Sequence, residues 1–140
     1  MVAISMKPNP FKEKMTAIKI VNRETGQPLG TVNNFDFYPG SISLVAFLDF
    51  FNLKPETNYI LSVSAHFPDG TTYPVHATRV NIAKDDFILL KDGYGKATGN
   101  FDFNFTITKP SDFYFFFVLM DENGKEIDTA YSYHHFGKWG

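Results

Sequence analysis

The chain has no cysteine among its 140 residues. Disulfide frameworks, thiolate nucleophiles and cysteine-ligated zinc are therefore excluded. Charge of one sign is also lacking. The 13 basic residues are scattered against 15 acidic ones, leaving a formal net charge of −2. Their densest group is Lys7, Lys12 and Lys14. Nucleic-acid binding needs a concentrated basic surface, so it is not expected. No apolar run approaches the roughly 20 residues of a membrane helix. The apolar residues before Lys7 are too few for a signal-peptide core. No membrane partner is expected, and the chain reads as cytoplasmic or as part of an assembled particle. Tryptophan is nearly missing, with one residue, Trp139.

What is present is β-forming. Aromatic residues make up 17% of the chain, with 16 Phe and 7 Tyr, and charged residues only 20%. Such a chain is too apolar for disorder, and Phe and Tyr suit pleated, half-buried surfaces. The length fits one domain with a substantial core. Residues 1–14 hold two prolines, three lysines and little periodicity. They read as a flexible N-terminal arm, and residues 15–140 as a single domain.

From Met15 onward strand signals follow one another. Ala17 to Val21 leads through Glu24-Thr25-Gly26 into a return at Leu29 to Val32. Asn33 to Tyr38 alternates, with Phe35 and Phe37 on one face. Ile42 to Phe50 is apolar on both faces, as in a central strand covered on both sides. Tyr59, Leu61, Val63, Ala65 and Phe67 form one face of the next strand, and Asp69-Gly70 marks a hairpin. In the return strand, Pro74 points to a sheet edge. After a short strand over Phe87 to Leu90, Asp92-Gly93-Tyr94-Gly95 and Gly99 read as a flexible connection. Phe101, Phe103, Phe105 and Ile107 then alternate with Asp102, Asn104, Thr106 and Thr108, one side in the core and one in water. Phe113 to Met120, Asn123-Gly124 and Ile127 to Tyr133 make a last hairpin. No window has helical spacing. The prediction is an all-β, antiparallel sandwich built from repeated hairpins.

Two stretches resemble each other. Phe47 to Gly70 and Phe101 to Gly124 both read strand, Lys-Pro corner, strand, turn glycine. Convergence on good turn residues explains this as well as duplication does. Within the first copy, Leu53-Lys54-Pro55-Glu56-Thr57-Asn58-Tyr59 resembles the Leu-x-Pro-x-Thr-x-Tyr corner of fibronectin type III domains. The resemblance implies a tyrosine hydroxyl tying a loop to the following strand, within an immunoglobulin-like sandwich. It covers seven residues and implies no functional residue.

Chemistry is hard to find. His134 and His135 are adjacent, so on a strand they face opposite ways. With Asp69 and Gly70 as the two turn residues, Pro68 pairs with Thr71 and His66 lies opposite Tyr73. His76 then lies opposite Val63, which puts His66 and His76 on opposite faces. A metal site or small enzyme centre around His66 and His76 would need a bulge. Many carboxylates sit in turns, including Asp69, Asp92 and Asp121, where they cap backbone amides. Asp121-Glu122-Asn123-Gly124 lacks the acidic ladder of a calcium loop. No nucleophile elbow, phosphate loop or His-Glu-x-x-His occurs. No cofactor and no catalytic residue is expected.

The aromatic surplus is the one feature that points to function. Phe113, Phe115 and Phe117 face one way and Tyr114, Phe116 and Val118 the other, whereas a sandwich core needs one face only. Tyr114 and Phe116 are therefore candidates for self-association. Tyr94, Tyr131, Tyr133 and Trp139 are candidates for contact with a sugar or a protein. The expected function is a non-catalytic structural or adaptor module acting through protein contact, of the kind found in bacterial surface or phage-type assemblies. A carbohydrate-binding module is the alternative.

Overall fold

The computed structural model describes residues 10–138. Among the described residues, nine strands form two sheets. One sheet holds β1 (Lys14–Asn22), β3 (Gly40–Leu53), β7 (Tyr94–Ile107) and β6 (Leu89–Lys91), side by side in that order. The other runs β2 (Val32–Asn34), β9 (Glu126–Gly137), β8 (Ser111–Asp121), β4 (Tyr59–His66) and β5 (Thr72–Val80). Every pairing between strands is antiparallel except β2 with β9. Lettering β1, β3, β4, β6, β7, β8 and β9 from A to G gives the ABED and GFC sheets of the immunoglobulin sandwich. β2 and β5 extend the second sheet at its two edges.

The period-two pattern explains which face each strand buries. Leu44, Ala46, Leu48 and Phe50 of β3 meet Leu61, Val63 and Ala65 of β4 and Phe115, Phe117 and Leu119 of β8 in one core. Aromatic rings fill the upper half. Phe105 lies 4.9 Å from Phe113 and 5.0 Å from Phe115, and Phe113 meets Phe136 edge-on at 5.1 Å. Each fully buried Phe of this kind contributes roughly 1.5–3 kcal/mol of transfer free energy.

Both Lys-Pro segments are crossings from the first sheet to the second, β3 to β4 and β7 to β8. Each is followed by a hairpin within the second sheet, so the sequence repeat is a repeat of topology. At the first crossing the Tyr59 hydroxyl accepts the Lys54 N–H at 2.9 Å and donates to the Glu13 carboxylate at 2.9 Å. This is a tyrosine corner. Immunoglobulin domains carry theirs at the E–F crossing; here it sits at B–C, and the repeat partner Tyr114 points outward instead.

Several segments differ from the sequence expectation. Residues 1–9 of the predicted arm lie outside the described residues. Lys14 is already the first residue of β1, and the Glu13 N–H donates to the Asn52 carbonyl. The first hairpin closes over a single bridge, Val21 to Pro28, after which the chain changes sheet. Only Val32–Asn34 is then strand. Phe35 packs against the core, but Phe37 is 74% exposed, because the expected alternation stops at Asn34. β3 is central in its sheet yet covered on one face only; Phe47 and Asp49 face water. The Asp92-Gly93 segment is a tight turn rather than a flexible connection. Lys91 pairs with Tyr94 across it, and Asp92 and Gly93 both take positive φ, 56° and 80°. Primed turns of this kind match the twist of the flanking strands. β7 runs on from there without interruption through Gly95 and Gly99.

Candidate functional site

The outer faces of the two sheets differ in chemistry. On the first sheet Ser41 hydrogen-bonds Thr106 at 2.8 Å, and the Ser43 hydroxyl donates to Asn104 at 3.1 Å. That face mixes such polar groups with Val45 and Phe47, the latter 43% exposed. On the second sheet, the outward rows are Ile60, Ser62, Ser64 and His66 of β4, Tyr114, Phe116, Val118 and Met120 of β8, and Thr129, Tyr131 and Tyr133 of β9. Asp112 of β8 and Arg79 of β5 face out at the margins of these rows, which themselves hold no Asp, Glu, Lys or Arg.

Register brings the rings together. Tyr114 lies opposite His66 on one side and Tyr133 on the other, and Phe116 lies opposite Tyr131. The His66 imidazole stacks on Tyr114 at 4.8 Å and 2°, with its Nε2 hydrogen-bonded to the Ser64 hydroxyl at 2.9 Å. Phe116 stacks on Tyr131 at 4.9 Å, and Tyr114 lies 5.0 Å from Tyr133. Tyr131 and Tyr133 stand 54% and 64% exposed. Above the cluster a cleft of about 340 Å³ opens between Phe67, Pro68, Tyr114, Tyr133 and His135.

The two candidate groups thus merge in part. Tyr114 and Phe116 share one surface with Tyr131 and Tyr133. Tyr94 is not among them; it sits on the other sheet with the Lys12 ammonium 4.4 Å above its ring. Trp139 lies outside the described residues. Phe136 faces inward and is core. His66 joins the patch although sequence spacing gave no sign of it, because its place depends on pairing with Tyr114, 48 positions away.

The remaining polar groups are structural. His76 faces inward and stacks on Phe101 at 4.8 Å, so His66 and His76 do point to opposite faces. The hairpin turn is one residue longer than expected: His66 pairs with Thr72, and a bulge between Val63 and Ser64 restores the Val63–His76 pairing. His134 is buried; its Nδ1 donates to the Gly30 carbonyl at 2.7 Å and its Nε2 accepts from the Ser132 hydroxyl. Burial pushes the His134 pKa below the usual imidazole range, and the Gly30 bond opposes that in part. Asp121 accepts the amides of Asn123 and Lys125, and Asp69 that of Thr71. His135 pairs with Asp112 at 2.7 Å on the surface. Among the described residues no group of three His, Asp or Glu could hold a metal ion.

No protein-family model and no curated protein sequence matches this chain. Solved structures do. A bacterial adhesin from Mobiluncus mulieris containing intramolecular disulfide, isopeptide and ester bond cross-links is similar at TM-score 0.58 and 7% identity, over 90% of this chain and 58% of that one. A CARDB domain from Pyrococcus furiosus, in complex with di-metal ions, is similar at TM-score 0.50 and 12% identity, over 96% and 95%. A β-glucuronidase from Bacteroides uniformis matches at TM-score 0.50 and 15% identity over 85% of this chain but 13% of its own. The chain thus spans little more than half of the adhesin and a small part of the glucuronidase. At these identities the likeness is one of fold.

Proposed function

We propose that the chain is a non-catalytic contact module that assembles face to face through the aromatic outer side of its second sheet. The observation that carries this is the uncharged surface built from His66, Tyr114, Phe116, Tyr131 and Tyr133. Removing such a surface from water is favourable at about 25 cal/mol per Å² and desolvates no fixed charge. Tyrosine is also over-represented where interfaces concentrate their energy. Among the described residues the outer side of the first sheet carries exposed Phe47 but no comparable cluster of rings. A place in a surface assembly accords with the adhesin likeness.

Carbohydrate binding is the second reading, favoured by the near-parallel rings of Tyr131 and Tyr133, 21° apart. Sugars stack on open ring faces. Here Tyr114 is covered by His66 and Tyr131 by Phe116, at 4.8 and 4.9 Å, which favours protein contact.

Light scattering over a range of concentrations tests the proposal. The wild type is expected to associate, and the exposed double variant Tyr131→Lys, Tyr133→Lys to stay monomeric with an unchanged melting temperature. A wild type that is monomeric throughout, or a double variant that associates equally well, overturns it. Tyrosine fluorescence that responds to a soluble glucan would then support the second reading.

A further inference from the structure

A separate feature lies along the side of the sandwich where β5 and β7 face each other. β6 pairs with β7 only at Tyr94, Gly95 and Lys96. From Ala97 to Ile107, β7 is bonded to β3 on one side and, among the described residues, to no strand on the other. The Lys96 carbonyl accepts the Ile88 N–H, so Lys96 directs its backbone groups to this edge. By strand alternation Thr98, Asn100, Asp102, Asn104 and Thr106 do the same.

Open edges invite pairing, and proteins blunt them with prolines, bulges, charges or short strands. The other edges of this molecule are blunted. β2 and β6 have three residues each. β5 carries Pro74 and a bulge. β1 is bulged between Thr16 and Lys19, and the Leu29 N–H bonds to its Ile20 carbonyl. The free stretch of β7 has a single charge, Asp102. Arg23 holds that carboxylate at 3.3 Å, and the Arg23 amide is anchored on Ser43 of β3, on the side away from the edge.

Two clefts open beside the edge. One, of about 310 Å³, lies between Phe67 and Val75 on one side and Phe105 on the other. The second, of about 220 Å³, is lined by Leu48, Leu61, Val80, Ile82 and Phe101, with Thr78, Arg79 and Asn81 at its rim. The stacked His76 and Phe101 rings stand between them. Phe101 and Phe105 are four residues apart, a distance of roughly 13 Å along a strand.

We propose that this seam takes an extended segment of a partner protein as an added strand along β7, with apolar side chains at positions i and i+4 and a small one at i+2. The backbone hydrogen bonds supply affinity and the two clefts supply register, the logic of β-strand addition. The outward positions of the segment are polar and uncharged, to lie beside Thr98, Asn100, Asn104 and Thr106. A second copy of β7 does not fit the clefts. Its own inward residues Phe103 and Phe105 are 5% and 3% exposed and are committed to its own core.

The probe is the capped peptide Lys-Thr-Leu-Thr-Ala-Thr-Leu-Thr-Lys, followed by residue-resolved amide hydrogen exchange on the full chain. Binding is expected to slow exchange by about tenfold or more at Thr98, Asn100, Asp102, Asn104 and Thr106, and not at Tyr131 or Tyr133. The same peptide N-methylated on alternate amides, or with both leucines replaced by serine, is expected to give no protection. Three results would overturn the proposal: unchanged exchange at those five amides, equal protection by the control peptides, or protection already present without peptide that grows with protein concentration. The last would assign the edge to a second copy.

Discussion

Single buried polar groups show how far individual side chains hold the two sheets together. Asp128 on β9 is 4% exposed and accepts the Met15 N–H of β1 at 2.8 Å, linking one sheet to the other. His134, on the same strand, satisfies both ring nitrogens inside the protein as a neutral imidazole. Its pKa in the folded state lies below the ordinary value of 6.5. The unfolded chain therefore binds the proton more readily, and stability falls as pH drops below 6.5 toward the folded value. Calorimetry from about pH 7.5 down to about pH 5 should show the melting temperature declining through that window, and His134→Gln should flatten the decline. None of this was legible beforehand. The adjacency of His134 and His135 predicts opposite faces, which is correct, but Asp128 and Gly30 reach their partners across more than 100 positions of chain.

At the level of strands, period-two patterning is a good guide where one face meets the core. β4 and the Phe103 to Ile107 half of β7 bury the residues that alternation selects. It fails where glycine is read only as freedom. Gly95 lies under the Phe87 ring, so close that an added Cβ would stand 2.2 Å from a ring carbon, and Gly99 lies under Phe50. These glycines make room for aromatic rings within a regular strand. Gly95→Ala must push Phe87 aside and should cost about 1–3 kcal/mol, read from urea unfolding. The double-sided apolar pattern of β8 was visible in sequence. Its outer partners on β4 and β9 were not, because cross-strand neighbours follow from register.

Considered whole, the described chain has local structure chiefly in its hairpins, β4 with β5, β6 with β7 and β8 with β9. Apart from the 3₁₀ turn at Lys84–Asp86, the described chain is strands and their connections, and both sheets are assembled from distant segments. Domains dominated by non-local pairing fold slowly, and stopped-flow refolding should give a phase between about a millisecond and seconds. An all-β sandwich was readable from hairpin spacing and its immunoglobulin-like form from the Leu53–Tyr59 corner, whereas the seam beside β7 was not, since it depends on where the short β6 stops. The same arrangement has a mechanical side. β1 starts at Lys14 beside Phe51, at the end of the sandwich that carries the β3–β4 crossing. β9 finishes at Gly137, next to Ser111 and the β7–β8 crossing, at the opposite end. Tension applied at Lys14 and Gly137 therefore runs along the strand axes. It loads the rungs between β1 and β3 and between β8 and β9 in shear, all together, instead of peeling them apart one by one.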